Sequence, residues 1–351
     1  MTVLVTGGVG FIGTNVAHQL MRSREHVRIL DNLSRAGVDR NLTWLRENHG
    51  DDFELVVGDV RDATTVARAM EGVEHVFHFA AQVAVTTSLY DPHHDFSVNG
   101  LGTLNVLEAV RGAAQKPSLV YTSTNKVYGA LEDVRMTTSK TRYEVVDSEL
   151  ARWGISEKRP LQFHSPYGCS KGTADQYVLD YARSFGLRAA VFRMSCIYGP
   201  RQLGTEDQGW VAHFLIRALR GETISIYGDG KQVRDVLFID DLVDALLRAR
   251  RSIDGIAGRA FNVGGGPANT LSLLELLQRI EQLDKRPPRV EHSEWRLADQ
   301  RYYVSDPRAL GAATGWRPTV GVGEGVSRLS EWLVQQPENR RPRSSLAEAS
   351  P

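Results

Sequence analysis

The feature that most constrains the fold is a glycine-rich turn, TGGVGFIG (6–13), which directly follows an apolar run, VLVT (3–6). The turn places Gly7, Gly10 and Gly13 three residues apart, just before a helical pattern. Glycines at these places permit a tight turn, close approach of the backbone to a pyrophosphate, and close packing of helix on strand. The free N–H groups at the start of the helix favour an anion at the same point. The sequence therefore predicts a strand, a phosphate-binding turn and a helix.

The same alternation of apolar runs and helical patterns continues along the chain. Six further runs read as buried strands: VRIL (27–30), ELVV (54–57), HVFHF (75–79), SLVYT (118–122), AAVFRM (189–194) and AFNV (260–263). The helical patterns between the early runs are TNVAHQLMR (14–22), ATTVARAME (63–71) and GTLNVLEAVR (102–111). Near-continuous apolar strands that alternate with helices are typical of a parallel sheet covered on both faces. We therefore expect an α/β fold with a Rossmann-type doubly wound parallel sheet.

The second half of the chain has sparser strand patterns, and a helical stretch, WVAHFLIRALR (210–220), precedes ISIYGDG. A length of 351 residues favours about two domains. We expect a nucleotide-binding domain and a smaller C-terminal α/β substrate domain. The predicted ranges are 1–193 plus about 234–264 for the first and about 194–233 plus 265–337 for the second. Residues 338–351 lack apolar periodicity and are predicted to form a disordered tail.

Composition argues against several classes of partner. The chain has 42 basic and 42 acidic residues, so nothing in its net charge predicts binding to nucleic acid or to an anionic membrane. It opens without a signal-like segment, and no run of about 18 apolar residues predicts a membrane span. Two cysteines, Cys169 and Cys196, suit a reducing, cytoplasmic environment. The ten histidines are scattered, and we expect no metal site.

An acidic residue, Asp31, closes the second predicted strand about twenty residues beyond the glycine turn. A carboxylate there can accept both hydroxyl groups of an adenosine ribose. It would repel a ribose 2′-phosphate, which favours NAD over NADP, although the nearby Arg35 leaves NADP open. Asp59 follows the third predicted strand, and its spacing fits a contact to adenine and a helix cap equally well.

A tyrosine and a lysine stand one helical turn apart in SPYGCSK (165–171). Ser165 suits an N-cap and Pro166 the first helical position, so Tyr167 and Lys171 are expected on one helix face. A phenol has an ordinary pKa of about 10, and a nearby ammonium, a helix N-terminus and an oxidised nicotinamide would each lower it. The phenol could then take a proton from a sugar hydroxyl while a hydride leaves for NAD. An ordinary exposed helical pair is the alternative.

Hydroxyl side chains follow the fifth predicted strand in TSTNKVYG (122–129). Ligands of open α/β sheets bind at the carboxyl ends of the strands. A hydroxyl there can hold a substrate oxygen and relay its proton to the phenol. A Ser/Thr turn that only ends the strand is the alternative.

Together these motifs resemble the extended short-chain dehydrogenase/reductase family and, within it, the nucleotide-sugar epimerases and dehydratases. The resemblance runs from residue 2 to about 335 and is carried by TGGVGFIG with Asp31, HFAAQ (78–82), Asn99, TSTNKVYG, YGCSK and RMSCIYGP (193–200). It implies a Rossmann domain that holds NAD and a smaller domain that holds a nucleotide diphosphate sugar. It also implies a Ser/Thr–Tyr–Lys triad, here Thr124, Tyr167 and Lys171, and a homodimer or homotetramer.

The resemblance also assigns binding residues. Cofactor contacts are expected from Gly7, Gly10, Phe11, Ile12, Gly13, Asp31, Asn32, Ser34, Arg35, Asp59, Val60, Ala80, Ala81, Gln82, Asn99, Thr122, Tyr167 and Lys171. Substrate contacts are expected from Gln82, Thr86, Thr124, Asn125, Cys196, Arg234 and Arg296. The two arginines match positions that grip the diphosphate or the nucleotide, where a forked guanidinium suits bidentate phosphate contacts.

Three features bear on the reaction. A 4,6-dehydratase of this family would carry an Asp-Glu pair after the triad hydroxyl, whereas this chain has Asn125 and Lys126, which disfavours dehydration. The polar stretch 137–154 lengthens the segment between Thr124 and Tyr167 and is expected to form a flap over the site. Several stretches resemble CDP-paratose (CDP-tyvelose) 2-epimerases: NLSRAG (32–37), AAQVAVTTS (80–88), STNKVYG, SPYGCSKG, YGPRQ (198–202), TEDQGWV (205–211) and GDGKQVRDVLFIDDL (228–242).

This resemblance implies oxidation at sugar C2 by bound NAD, followed by return of the hydride to the opposite face of a 2-keto intermediate. Cys196 stands where many relatives have an asparagine, and Val83 where galactose 4-epimerases carry a lysine; both weaken a 4-epimerase assignment. Three alternatives stay open. They are a UDP- or dTDP-sugar 4-epimerase, net oxidation or decarboxylation of a UDP-uronic acid, and a non-catalytic NAD-binding sensor.

Overall fold

The computed structural model describes residues 1–296 and 299–339 of the chain. Most of the predicted tail, residues 340–351, lies outside the described residues. Residues 337–339, however, form a 3₁₀ turn, and the buried Asn339 side chain accepts hydrogen bonds from Arg220. A side-chain amide therefore ties Asn339 to the body of the protein, and a disordered tail stays a prediction.

The strands of the described ranges are β1 (Thr2–Thr6), β2 (His26–Asp31), β3 (Phe53–Val57), β4 (Val73–His78), β5 (Ser118–Thr124), β6 (Met136–Thr138), β7 (Tyr143–Val145), β8 (Ala189–Met194), β9 (Cys196–Tyr198), β10 (Ile224–Tyr227), β11 (Val233–Phe238), β12 (Ala260–Val263), β13 (Thr270–Ser272), β14 (Val290–Ser293) and β15 (Tyr302–Tyr303). The α-helices are α1 (Phe11–Arg22), α2 (Val38–His49), α3 (Ala63–Ala69), α4 (Val85–Tyr90), α5 (Pro92–Phe96), α6 (Gly102–Gly112), α7 (Ser148–Trp153), α8 (Ser165–Phe185), α9 (Trp210–Arg220), α10 (Ile239–Arg251), α11 (Ile253–Ile256), α12 (Leu273–Asp284), α13 (Arg308–Thr314) and α14 (Val322–Gln335). A π-helical turn (Ser97–Leu101) joins α5 to α6, and a 3₁₀ turn (Asn125–Tyr128) follows β5.

Seven strands form one parallel sheet in the order β3-β2-β1-β4-β5-β8-β12. All seven apolar runs identified in the sequence are strands of this sheet, which confirms the Rossmann-type fold. Alternate residues of β1 enter different cores, because Val3 and Val5 pack on one face of the sheet and Leu4 packs on the other. Burial on both faces explains why these strands read as continuous apolar runs.

The order of the strands reverses beside β1, which pairs with β2 on one side and with β4 on the other. In doubly wound sheets the ligand crevice opens at such a reversal, outside the carboxyl ends of the strands. The turn after β1 and the loop after β4 meet there, since a Cβ on Gly7 would lie 2.7 Å from the main-chain nitrogen of Ala80. The fold therefore places the glycine turn at the crevice.

A smaller lobe is built around β11, which pairs with β9, β13 and β15, while β10 pairs with β14. Helices α9, α12 and α14 pack together on this lobe. The predicted boundary at about 234 needs correction, because β11 (Val233–Phe238) is hydrogen-bonded to strands of the smaller lobe. We propose that the smaller domain extends to Phe238, and the other predicted boundaries stay proposals.

The stretch predicted to form a flap, 137–154, contains most of the β6–β7 hairpin and α7. Arg142 in the hairpin forms an ion pair with Glu275 of α12. The Tyr143 hydroxyl donates a hydrogen bond to Asp229 at 2.6 Å, and its main-chain N–H donates to Lys231 at 3.0 Å. These contacts hold the hairpin on the smaller lobe, and a closing movement over the site stays a prediction.

Candidate active site

The glycine turn has the geometry that a bound pyrophosphate needs. Gly7 has a φ of +66°, a left-handed conformation that favours glycine. A Cβ on Gly13 would lie 2.2 Å from the carbonyl oxygen of Gly7, so only glycine allows α1 to pack this closely on the turn. A Cβ on Gly10, the N-cap of α1, would meet only that same oxygen, at 3.2 Å. The space beside Gly10 is therefore available to a ligand.

Asp31 ends β2 next to this turn. One carboxylate oxygen accepts the N–H of Val9 at 3.0 Å, and the other accepts the N–H of Leu33 at 2.9 Å. Burial raises the pKa of Asp31, and the two hydrogen bonds oppose that rise. Phe11 and Ile12 are partly buried in the first turn of α1, where main-chain N–H groups have no partner within the helix. A fixed carboxylate beside free N–H groups fits the adenosine and pyrophosphate parts of NAD.

Asn32, Ser34 and Asp59 form one polar cluster at the ends of neighbouring strands. Asn32 donates to Asp59 at 2.9 Å, and the Ser34 hydroxyl donates to Asn32 at 2.8 Å. Two hydrogen bonds from Arg61 hold the pKa of Asp59 well below its ordinary value. The cap of α3 is Asp62, which accepts a main-chain N–H of the first turn. The cap alternative for Asp59 is therefore wrong, and a contact to adenine stays the prediction.

Arg35 extends across the cleft towards the smaller lobe. Its guanidinium donates a hydrogen bond to the side-chain carbonyl of Gln208, in the loop before α9. The other predicted residues of this wall, Val60, Ala80 and Ala81, lie in the loops after β3 and β4. The sequence did not predict that a residue near Asp31 would connect the two lobes.

Gln82 and Asn99 join the loop after β4 to the π-helical turn. The N–H of Gln82 donates to Asn99 Oδ1 at 3.0 Å, and Asn99 Nδ2 donates to the Gln82 carbonyl at 3.0 Å. π-Helical turns are frequent at functional sites. The Thr86 hydroxyl is buried nearby in sequence and has no hydrogen-bond partner among the described residues. A bound molecule can satisfy such a group.

The structure brings the three predicted catalytic residues together. Thr124 ends β5, and its hydroxyl lies close enough to the phenol of Tyr167, in the first turn of α8, to affect the pKa of that phenol. The Lys171 ammonium donates to the main-chain oxygen of Thr122 at 2.6 Å and lies 4.3 Å from the centre of the Tyr121 ring. Tyr167 is 9% exposed and Lys171 is 4% exposed. The alternative of an ordinary exposed helical pair is therefore wrong.

The start of α8 is close to the predicted one. The helix begins at Ser165, whose hydroxyl oxygen accepts the N–H of Gly168 at 3.2 Å, as a capping side chain does. One turn beyond Lys171, Asp175 accepts two hydrogen bonds of 2.9 Å from Arg193 of β8. Both partners of this ion pair are buried, so removal of either would leave an uncompensated charge. The pair therefore fixes α8 on the sheet.

The electrostatics of the tyrosine and lysine differ from expectation. Burial raises the pKa of Tyr167 to about 12, although the nearby Thr124 hydroxyl acts against this rise. Burial also lowers the pKa of Lys171 to about 7, against the influence of Asp175 and Asp95. The predicted net lowering of the Tyr167 pKa is wrong, because burial dominates. The Lys171 ammonium is directed at the Thr122 carbonyl, and its own influence on the phenol stays a prediction. The helix N-terminus and the positive charge of an oxidised nicotinamide are the other predicted influences that favour the phenolate.

A buried acid that the sequence did not predict lies behind this pair. Asp95 in α5 is fully buried and accepts hydrogen bonds from the Ser170 hydroxyl and, at 3.1 Å, from Asn99. Its charge favours the protonated form of Lys171 and disfavours the phenolate of Tyr167. Its spacing of four residues from Asn99, which puts both on one helix face, was the available signal.

Predicted substrate residues form a buried, hydrogen-bonded group beyond Thr124. Its hydroxyl lies 3.3 Å from the side-chain oxygen of Asn125, and Asn125 donates to the side chain of Gln300 at 3.3 Å. Arg234 donates to the carboxylate of Asp299 at 2.8 Å and to the main-chain oxygen of Gln300. Residues from three distant segments of the chain therefore meet in one group.

Lys126 and Cys196 border the same group. The Lys126 ammonium lies 3.8 Å from the Asp299 carboxylate, and burial lowers its pKa to about 8. Burial raises the pKa of the Cys196 thiol, while the charges of Arg234 and Lys126 oppose the rise. Two cations therefore share the carboxylate of Asp299, an arrangement that favours an additional anion. Neither Asp299 nor Lys126 was predicted as a binding residue from the sequence.

Arg296 lies in a separate group near the loop before α9. It forms ion pairs with Glu206 at 3.2 Å and Asp207 at 3.6 Å, and its guanidinium lies 3.9 Å over the ring of Tyr227. Arg234 and Arg296 are therefore bound to different acids, and the structure does not join them in a single diphosphate clamp.

In the ranges that the structure describes, no helix combines the length and the apolar character needed to cross a membrane. The same residues contain no group of three or more His, Cys, Asp or Glu side chains suited to a metal ion.

The parallel sheet, the glycine turn at its crevice and the buried tyrosine–lysine pair define a Rossmann-fold enzyme of the short-chain dehydrogenase/reductase class. The model of the NAD-dependent epimerase/dehydratase family matches residues 3–264, and the chain belongs to this family. NAD is its cofactor, which the open space at Gly10 and the fixed carboxylate of Asp31 fit.

Similar proteins cover nearly the whole chain. CDP-paratose 2-epimerase of Salmonella typhi is 43% identical over 339 residues, which cover 95% of this chain and 99% of the relative. UDP-glucose 4-epimerase of Mycolicibacterium smegmatis is 33% identical over 334 residues, 95% of this chain and 98% of the relative. A solved structure of UDP-glucose 4-epimerase from Thermus thermophilus in complex with NAD has a TM-score of 0.78 at 32% identity, and the match covers 95% of this chain and 99% of that one.

Proposed function

We propose that this protein is a nucleotide-sugar epimerase and that its reaction is 2-epimerisation of CDP-paratose to CDP-tyvelose, or the reverse. The observation that carries the proposal is the buried group of Thr124, Tyr167 and Lys171, together with the two cations, Lys126 and Arg234, that share Asp299. The 43% identity to CDP-paratose 2-epimerase supports the finer assignment. The absence of an acid pair at Asn125 and Lys126 supports epimerisation over dehydration.

Bound NAD supplies a reversible hydride acceptor, and the side chains of the protein supply the remaining functions. Thr124 holds the oxygen of the reacting hydroxyl and passes its proton to the phenolate of Tyr167. Lys171 fixes the end of β5 through the Thr122 carbonyl. Return of the proton from Tyr167 completes the reaction after the keto sugar has turned its other face to the cofactor. The cations near Asp299 would keep the diphosphate in place during this turn.

A UDP- or dTDP-sugar 4-epimerase is the second candidate, supported by the 33% identity to UDP-glucose 4-epimerase. Tyr167 and Lys171 are both present and buried, which argues against a non-catalytic NAD sensor. Net oxidation of a UDP-uronic acid would release stoichiometric NADH, whereas epimerisation would not.

The deciding experiment has two parts. Denaturation of the purified protein should release NAD, identified by chromatography. Incubation of the intact protein with CDP-, UDP- and dTDP-sugars should then convert CDP-paratose or CDP-tyvelose into its C2 epimer, detected by NMR. Conversion of a UDP- or dTDP-sugar at C4 alone would support the second candidate. Retained NAD, with neither conversion of a nucleotide sugar nor transient formation of NADH, would support the non-catalytic NAD-binding sensor.

We also propose a cytoplasmic homodimer. Helices α4, α5 and α8 pack on one another and, with the π-helical turn, carry exposed apolar side chains, namely Leu89, Tyr90, Phe96, Leu101, Tyr177 and Phe185. Exposed apolar groups of this kind are common at subunit interfaces. The free thiols of Cys169 and Cys196 suit a reducing compartment. Light scattering should give a molar mass twice that of one chain. Phe96→Glu should reduce the molar mass to that of a single chain. A monomeric wild-type protein would contradict the proposal.

A further inference from the structure

A continuous polar track leads from the candidate reaction centre towards the loop before α9. Its first part is the chain of hydrogen bonds that runs from Thr124 through Asn125 and Gln300 to Arg234 and Asp299. Gln232 extends it, because its amide donates to Asp299 at 3.5 Å and to the main-chain oxygen of Tyr227 at 2.8 Å. Hydroxyl and amide groups therefore come first, then cations, then an aromatic ring. A nucleotide diphosphate sugar has the same order of sugar, diphosphate and base.

The far end of this track has a flat surface with a carboxylate at its edge. The Arg296 guanidinium stacks 3.9 Å over the Tyr227 ring, and Glu206 accepts hydrogen bonds from the Tyr227 hydroxyl and from Arg296. Beside them, the indole of Trp295 lies against Gly228, where a Cβ would be 2.5 Å from the ring. Planar aromatic and guanidinium groups are surfaces on which bases stack. The surface is therefore suited to a planar base.

One oxygen of Glu206 is available to a ligand. Both hydrogen bonds to the carboxylate use Oε1, and within the described part of the chain Oε2 makes none. The Tyr227 hydroxyl and Arg296 lower the pKa of Glu206, so the carboxylate is ionised at neutral pH and can only accept hydrogen bonds. The side chain is 47% exposed, so a ligand can reach it.

With the nucleotide-sugar assignment as its basis, we propose that Glu206 contacts the nucleobase of the substrate and selects cytosine over uracil and thymine. Cytosine presents an amino donor at N4, which a carboxylate accepts. Uracil and thymine present a carbonyl oxygen at the corresponding place, and this oxygen and the carboxylate repel each other. Glu206 is thus a specificity-determining residue that acts at the base while the chemistry takes place at Tyr167.

The test is calorimetric titration of the NAD-loaded protein with CDP and with UDP. We expect wild-type protein to bind CDP about 10- to 100-fold more tightly, the discrimination that one matched contact to a base edge provides. Glu206→Gln should bring the two affinities within about threefold, because an amide can turn either a donor or an acceptor to the base. The ratio of the two affinities on one protein is insensitive to partial loss of folded protein.

Asp207→Asn is the matched control. Asp207 also carries a negative charge close to Arg296, at 3.6 Å, but within the described residues no hydrogen bond joins it to Tyr227, whose hydroxyl donates to Glu206. This variant should keep the wild-type ratio, which separates contact with the base from a general effect of charge. Equal affinities in wild-type protein, or an unchanged ratio in Glu206→Gln, would overturn the role of Glu206 and leave the epimerase proposal standing. Failure of the wild-type protein to bind either nucleotide would overturn both.

Discussion

The two halves of the candidate site are built in different ways. The cofactor half depends on main-chain geometry: Gly7 and Gly13 leave no room for a side chain, and main-chain N–H groups fix Asp31. The substrate half depends on charged side chains that bind one another, with Arg234 on one acid and Arg296 on two others. The cofactor half thus has its shape before a ligand binds. The substrate half is held together by ion pairs, which an anionic ligand can displace.

This difference determines how each half responds to a ligand. Main-chain groups cannot change partners, so the cofactor half should tolerate almost no substitution. In the substrate half a diphosphate must compete with acids that already hold the cations, and exchange of one anion for another avoids exposing a bare buried charge. Binding there should depend on charge state and therefore on pH. We expect substitutions of the turn glycines in the cofactor half to abolish NAD retention or to destabilise the fold, and those in the substrate half to change affinity or selectivity.

The largest effect is expected at the junction of the two halves. Tyr167→Phe removes the acid–base group and should lower kcat by about 10²- to 10⁴-fold, the usual contribution of proton transfer. NAD retention should stay within twofold of wild type, because the ring and its packing remain. The measurements are initial rates by NMR and cofactor content after denaturation. Full activity in this variant would remove Tyr167 from the mechanism.

A matched glycine pair tests the cofactor half. Gly13→Ala would place a methyl group 2.2 Å from a main-chain oxygen, so we expect a loss of about 1–3 kcal/mol in the free energy of unfolding. Gly10→Val adds its bulk to the open side of the turn and should abolish NAD retention, while the unfolding free energy of the cofactor-free protein changes by less than about 1 kcal/mol. Urea unfolding and cofactor content distinguish the two. Equal destabilisation in both variants would show that the space beside Gly10 is not a ligand site.

Sequence patterns predicted the cofactor half because its determinants are local. Strand, turn, helix and acid all lie between residues 2 and 31, and hydrophobic periodicity with glycine spacing is sufficient to identify them. The seven strands of the large sheet were predictable for the same reason, since each is a short apolar run with its own signal. The lobe boundary was less predictable, because β11 looks like any other buried strand and only its pairing shows which sheet it joins.

The substrate half could not be predicted in the same way. Its contacts join Arg234 to Asp299, Asn125 to Gln300 and Arg296 to Glu206, residues 65, 175 and 90 positions apart. No periodicity or spacing in the sequence predicts such long-range pairings. The pKa of Tyr167 was mispredicted for a related reason, because the sequence shows the neighbouring lysine but not the burial that dominates both groups.

A pH profile tests the substrate half. Because burial lowers the pKa of Lys126 to about 8, its ammonium is charged below that pH and neutral above it. If the charged form binds the diphosphate, kcat/KM should fall as pH rises through 8, by about tenfold from pH 8 to 9.5. Lys126→Arg stays charged over this range and should remove the fall attributable to this group. A profile that is unchanged in Lys126→Arg would assign the fall to another group and contradict a role for Lys126 in binding.

The smallest effect is expected where the two halves touch, at Arg35 and Gln208. The guanidinium of Arg35 is bonded to Gln208, and the Asp31 carboxylate still repels a ribose 2′-phosphate, so Arg35 should not confer binding of NADP. Arg35→Ala should change the ratio of NAD to NADP affinities by less than threefold, whereas Asp31→Asn, the control, should shift it towards NADP. Stability should fall by about 0.5–1.5 kcal/mol in Arg35→Ala and in Gln208→Ala, with no further loss in the double variant, because both remove the same hydrogen bond. Additive losses would show that Arg35 and Gln208 do not stabilise the protein through one shared hydrogen bond. A specific loss of NADP binding in Arg35→Ala would show that Arg35 serves the cofactor.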